Sequence, residues 1–315
     1  MTDRYFADTP ISGEKATLVG PEAHHLIHVM RAKPGDRVVL FDGGGAEYAA
    51  QVERLRRTEV ELAILARHEV DRELPVELTL GVALPKGERQ RWLVEKAVEL
   101  GVQRLVPVDT QRSVARPAER TLARLRRAVI EASKQCGRNR LMEIAVLEAW
   151  PDFIAANEAV ERRLLAHPEG GATDTKRDRK KVPRLGATGV SPVHGQDAHA
   201  PEGGATDTKR DRKKVPRLGA TGVSPVHGQD AHGTLQPPCR ECPAPLSHTV
   251  MRSLVGQVSR SVVVAVGPEG GFTGNEITLA TSAGWQLVDL GPRILRTETA
   301  AILLASIAAL RAEGV

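Results

Sequence analysis

Residues 261–276 read SVVVAVGPEGGFTGNE, and their order decides the fold class. Ser261 to Val266 is a nearly continuous apolar run of strand length, as expected of a strand covered on both faces. Gly267-Pro268-Glu269-Gly270-Gly271 breaks it. Thr273-Gly274-Asn275-Glu276 then matches a capping box, in which hydroxyl and carboxylate satisfy free N–H groups at a helix start. A buried strand, a glycine loop and a capped helix make one unit of an α/β fold with a mostly parallel sheet.

A second unit follows it. Trp285–Leu290 reads as a strand, LGPRILRTET (290–299) as a loop, and Thr297–Arg311 as a helix. Ala300–Leu310 is apolar except for Ser306, too short to cross a bilayer and too apolar to face water. It is expected in the core or at a subunit interface. Upstream, strands at Val76–Ala83, Arg104–Val108, Glu143–Leu147 and Arg162–Ala166 alternate with helices at Glu88–Leu100 and Pro117–Cys136. Arg72-Glu73-Leu74-Pro75 marks a boundary. Before it, Arg37–Phe41, Glu47–Val52 and Val60–Ala66 read as strands around an Asp42–Gly45 turn, the pattern of a small barrel or sandwich.

The chain has 315 residues and a net charge of +5, which invites a nucleic-acid partner. Most of that charge is misleading. Pro168–His199 recurs letter for letter as Pro201–His232, and each copy carries six basic and four acidic residues, so the two account for +4. The unit lacks apolar periodicity and is punctuated by Gly and Pro, so an insert at 168–233 is expected to be disordered. Its KRDRKK runs read either as a basic arm for RNA phosphates or as solvated chain with no task. Aromatics are only 3%, so an RNA surface has few stacking platforms. Three cysteines exclude a disulfide framework and suit a reducing compartment. No signal-type apolar segment opens the chain and none is long enough to cross a membrane, so a cytoplasmic location is expected.

The two glycine-containing loops follow strands at the end of the sheet where open α/β folds bind ligands. Neither GxGxxG nor a Walker A loop is present, which weakens nicotinamide and NTP readings. PEGG also occurs at Pro168 and Pro201, but only the copy at Pro268 lies between a strand and a capped helix. Cys239 and Cys242 form a CxxC, but the only other cysteine, Cys136, lies in a distant helix, leaving His232 and His248 as the conceivable extra ligands. His24, His25 and His28 read as packing or surface residues. No metal is expected.

The blocks AVGPEGGFTGNE and LGPRILRTETA resemble those of the ribosomal RNA small subunit methyltransferase E family. Further similar blocks are Arg4-Tyr5-Phe6, HLIHVMRAKPGDRV from His25, LPKGERQRWLVEKAVELGVQRLVPV from Leu84, QRSVAR from Gln111 and EASKQCGRNR from Glu131. Together they cover nearly everything outside the insert, which the family pattern lacks. Cys136 stands where the family more often has Ser.

The resemblance implies a PUA-like RNA-binding β-barrel over 1–72 and a SPOUT methyltransferase domain with a trefoil knot over 73–315. It implies S-adenosylmethionine as methyl donor, N3 of a uridine in 16S rRNA of the small subunit as target, and a homodimer. Gly267, Gly270, Leu290, Gly291 and Leu295 are the expected cofactor contacts. Uracil N3 must lose a proton before it attacks, so a base and a positive group are needed. Glu298 is the candidate base and Arg296 the candidate charge stabiliser; both also read as a helix N-terminal carboxylate with its pairing arginine. Arg4, Arg31, Arg112 and Arg138 are candidates for rRNA, or else surface ion pairs. The rival readings are a related methylase acting on tRNA or a ribose 2′-hydroxyl, and a non-catalytic ribosome assembly factor.

Overall fold

A computed structural model describes residues 3–168 and 259–312. The repeat beyond Pro168 and the Cys239/Cys242 pair lie outside the described residues.

The N-terminal part builds one five-stranded sheet. Its strands are β1 (Arg4–Phe6), β2 (Lys15–Val19), β3 (Arg37–Phe41), β4 (Ala46–Leu55) and β5 (Glu59–Glu69), in the order β1-β3-β4-β5-β2. β1 runs parallel to β3, and the remaining pairs are antiparallel. Alternation along β4 sends Ala46, Tyr48, Ala50 and Val52 inward, where they meet Leu18, Leu40, Val60 and Leu62. A short helix α1 (Gly20–His24), opened by Pro21, runs into a π-helical turn over His25–Val29 and closes this core with Ala23 and Leu26. It stops at Arg31, which takes the left-handed φ of +55° more usual for glycine, while Ala32 N–H donates back to the Leu26 carbonyl. His24 and His28 lie ring to ring at 4.6 Å and His25 packs on Tyr5, so the histidine cluster is divided between surface and core.

The second sheet is parallel throughout. It comprises β6 (Glu77–Val82), β7 (Arg104–Asp109), β8 (Glu143–Ile144), β9 (Glu148–Ala149), β10 (Arg162–Ala166), β11 (Ser261–Val266) and β12 (Gln286–Val288). The order is β12-β10-β11-β6-β7-β8, with β9 also on β7. The interval Glu143–Leu147, expected as one strand, supplies only the two residues of β8 before the chain turns.

Both faces are covered, which is why these strands lack polar alternation. Val262, Val264 and Val266 join Leu78 and Leu80 under α2 (Arg89–Glu99), α3 (Glu119–Cys136) and α6 (Thr297–Ala312). Val263 and Ala265 face α4 (Trp150–Ala156) and α5 (Gly274–Ser282). On that side Trp150, Phe153, Phe272 and Trp285 form one aromatic cluster. Gly81 makes room for it, since a Cβ there would stand 2.3 Å from the Phe153 ring. Of the nine aromatic residues, eight are buried and only Trp92 is substantially exposed, at 44%. α6 turns Ala301, Leu304, Ala305, Ala308 and Ala309 to the sheet and leaves Leu303 and Leu310 outside.

Candidate active site

The site forms where the order of strands reverses. From β11 the chain crosses to β12 on the far side of β10, so the segments leaving β10, β11 and β12 diverge around one cavity. Its volume is about 290 Å³. Ala166 and His167 line it from β10, Val266 to Glu269 from β11, and Asp289 to Leu295 from β12, with Thr297 and Ala300 from α6. Pro168, the first residue of the repeat unit, is also at its wall.

Local chemistry shapes both loops. The first turns through a Gly271 N–H to Pro268 carbonyl bond of 2.8 Å and enters α5 through the expected capping box. A Cβ on Gly267 would lie 2.9 Å from the Phe272 ring, so the backbone can pass there only as glycine. In the second loop Asp289 accepts from Gly291 N–H at 2.9 Å, and Gly291 takes a φ of +103°. Thr297 ties the loops together, its hydroxyl donating to the Gly267 carbonyl at 3.2 Å.

Four of the five residues expected to hold the cofactor line the cavity: Gly267, Leu290, Gly291 and Leu295. Gly270 stands off it; its carbonyl accepts a 2.8 Å bond from Arg112, whose side chain lies across it. Glu298 is 6% exposed and faces Arg89 at the start of α2, at 3.4 Å. The same guanidinium meets Glu269 of the first loop at 3.2 Å. Glu298 is thus one ion pair removed from the cavity wall. Arg296 is exposed at the entrance to α6, with no carboxylate partner among the described residues. Ile294 beside it is 90% exposed, an apolar side chain at the cavity rim.

Sequence reasoning missed Arg89 and Glu269 as site residues. Both stand inside the quoted blocks, but Arg89 and Glu298 are 209 positions apart and nothing in their spacing links them.

The residues proposed for rRNA divide sharply. Arg138 is 3% exposed; its guanidinium reaches Glu73 at 3.0 Å and the carbonyls of Val98 and Val102. It has no donor face for a phosphate, and the expectation for Arg138 is corrected to an internal tie. Arg4 is nearly as occupied, bonded to Glu47 and Asn139 at 2.7 Å each and set over the Phe41 ring. Arg31 and Arg112 are exposed.

A family model described as an RNA methyltransferase domain matches residues 72–222 and 243–309, and one described as an RNA methyltransferase PUA domain matches 18–65. The ribosomal RNA small subunit methyltransferase E of Synechocystis is 30% identical over 93% of this chain and 73% of its own length. The chain belongs to the ribosomal RNA small subunit methyltransferase E family. The Bacillus subtilis member is 21% identical over 90% of this chain and 85% of its own length. Among solved structures, the Neisseria gonorrhoeae member bound to S-adenosyl methionine superposes with a TM-score of 0.64. It is 25% identical, covering 99% of this chain and 97% of that one. A Legionella pneumophila methyltransferase with bound SAM shares the fold at a TM-score of 0.65, with 24% identity over 99% and 98% of the two chains. The methyltransferase E family therefore accounts for both sheets, and its N-terminal module is PUA-like.

Proposed function

We propose that this chain methylates N3 of a uridine in 16S rRNA of the small ribosomal subunit, with S-adenosylmethionine as donor. The observation that carries the reading is the cavity at the ends of β10, β11 and β12, walled by the Gly267 and Gly291 loops. Its chemistry fits the donor. Leu290, Leu295, Phe272 and Ala300 offer apolar surface for a purine, and the carboxylates of Glu269 and Asp289 suit a cationic ligand. Bound there, the cofactor supplies an electrophilic methyl group.

The chain's own residues have two tasks. Glu298 takes the N3 proton, with Arg89 setting its position. Arg296 compensates the negative charge that spreads to O2 and O4 of the uracil. Arg31, after the π-helical turn, and Arg112, in the loop after β7, contact rRNA phosphates, and the exposed part of Arg4 is the remaining candidate on the barrel side. Residues 1–72 are the RNA-binding PUA-like module and 73–315 the catalytic domain, interrupted by the insert at 168–233.

Two further features belong to this reading. The chain leaves β12, passes through 289–296 and sends α6 back beneath β11 and β6, a path that supports a trefoil knot. Leu303 and Leu310 on the outside of α6, with Ile294 at the rim, make an apolar surface suited to a second copy of the chain. No helix among the described residues is long and apolar enough to cross a membrane. The proposed rRNA substrate is what supports a cytoplasmic location.

Labelled S-adenosylmethionine incubated with protein and small subunits, naked 16S rRNA or tRNA tests the reading. Label at uridine N3 of 16S rRNA is expected. Label only in tRNA, or at a ribose 2′-hydroxyl, overturns the substrate; label in none overturns the activity and leaves an assembly factor.

A further inference from the structure

On α2 every basic residue meets a carboxylate: Arg89 with Glu269 and Glu298, Arg91 with Glu95, Lys96 with Glu99. α3 is built differently. Leu122, Leu125, Ala128, Val129 and Ala132 face the core, and Arg120, Arg124 and Arg127 recur on the outside at spacings of four and three. Such spacing puts the three guanidinium groups in one stripe. All three are exposed and none has a partner among the described residues. The acids that could neutralise the stripe are occupied, Glu119 by Arg126 and Glu131 by Lys134.

The stripe also opposes the helix. Arg120 lies in the first turn, where the macrodipole favours anions. The three like charges also repel at spacings of four and three, so the stripe costs the helix a little stability. Its place in the fold gives it a use. The loop before α3 carries Arg112, bonded to the Gly270 carbonyl beside the site. The far end of α3 is held to the PUA-like module by Lys134 and Glu22 at 3.0 Å. The three arginines therefore lie on the helix that joins the methyl-transfer loop to the N-terminal module. With eight of nine aromatics buried, stacking cannot grip an RNA here and charge must.

We propose that Arg120, Arg124 and Arg127 form a phosphate rail that holds the RNA backbone between the PUA-like module and the catalytic loops. The inference rests on the rRNA-methyltransferase reading. The rail contributes affinity without reading bases, since hydrogen bonds to phosphate oxygens carry no sequence information.

The test compares wild type with R120Q/R124Q/R127Q and with the triple lysine variant, measuring binding to naked 16S rRNA and to small subunits over a range of salt. The glutamine variant should bind both RNAs weaker. Its slope of log affinity against log salt should be smaller by about 2 for three single-strand phosphate contacts. KM for RNA should rise on the order of tenfold, as expected for lost phosphate contacts, with kcat and cofactor affinity unchanged. Lysines should restore the slope. The melting temperature should stay level or rise slightly, whereas a structural role would lower it. An unchanged slope and KM in an enzyme that still methylates 16S rRNA overturns the rail alone. Loss confined to assembled subunits would mean that the stripe meets a ribosomal protein and likewise overturns it. A wild-type protein that neither binds nor methylates rRNA overturns the functional reading and the rail with it.

Discussion

Arginine has opposite settings at two regions of this molecule. Where β1 meets the end of α3, Arg4, Arg72 and Arg138 are tied to Glu47, Glu73, Asn139 and main-chain carbonyls, and Arg138 is enclosed. In the loop after β12, Arg293 and Arg296 extend into solvent without a carboxylate partner among the described residues. The same residue type holds two sheets together in one place and is left available in the other. Burial and satisfied donors mark structure; of the exposed, unpaired arginines beside the cavity, Arg296 is the one proposed to meet a ligand.

The sharpest way to break that contrast is Arg138→Ala. It leaves Glu73 buried without its cation and strips two carbonyls of their donor, so a loss of about 3–5 kcal/mol is expected in denaturant unfolding. Unfolding indistinguishable from wild type would remove Arg138 from the structural side. Arg296→Ala should do the reverse. Stability and cofactor affinity hold, while single-turnover methylation slows by roughly 10²–10³-fold if the guanidinium meets developing charge. A wild-type rate would end its assigned role.

The smallest effect is a pH dependence at the junction. Burial pushes the Glu47 carboxyl upward, but hydrogen bonds from Arg4 and Arg72, with their charges, outweigh it and hold the group below its ordinary value of 4.5. The unfolded chain therefore binds the proton first as the solution is acidified. The stabilisation is complete above the unfolded value and is lost as pH falls through the folded one. Melting between pH 6 and 3 should show a shallower decline in Glu47→Gln than in wild type; equal slopes would place the acid sensitivity elsewhere.

Much of the scaffold was legible locally. Arg37–Phe41, Arg162–Ala166 and Ser261–Val266 are strands over the intervals read from their apolar pattern, and the Thr273–Glu276 box starts α5. β1 has only three residues, β2 (KATLV) buries Leu18 alone and so shows no apolar pattern, and α4 spans only seven residues. At the site, glycines announced the two loops, but not that Gly270 stands off the cavity behind Arg112. The EASKQCGRNR block led to Arg138 as a candidate for rRNA, yet folding encloses that side chain.

The sequence by itself determined the strand–loop–helix units, the capping of α5, and an insert whose repeated charge dominates the pI. Those features depend on neighbours within a few residues, through backbone geometry, apolar period and local hydrogen bonds. The tertiary structure alone decided which arginines are enclosed and which are free. It also decided that Arg89 lies between Glu269 and Glu298, across 209 positions of chain in the longer case. A guanidinium becomes a strut or a ligand-binding group according to the carboxylates and carbonyls that folding brings around it, and no local pattern encodes that company.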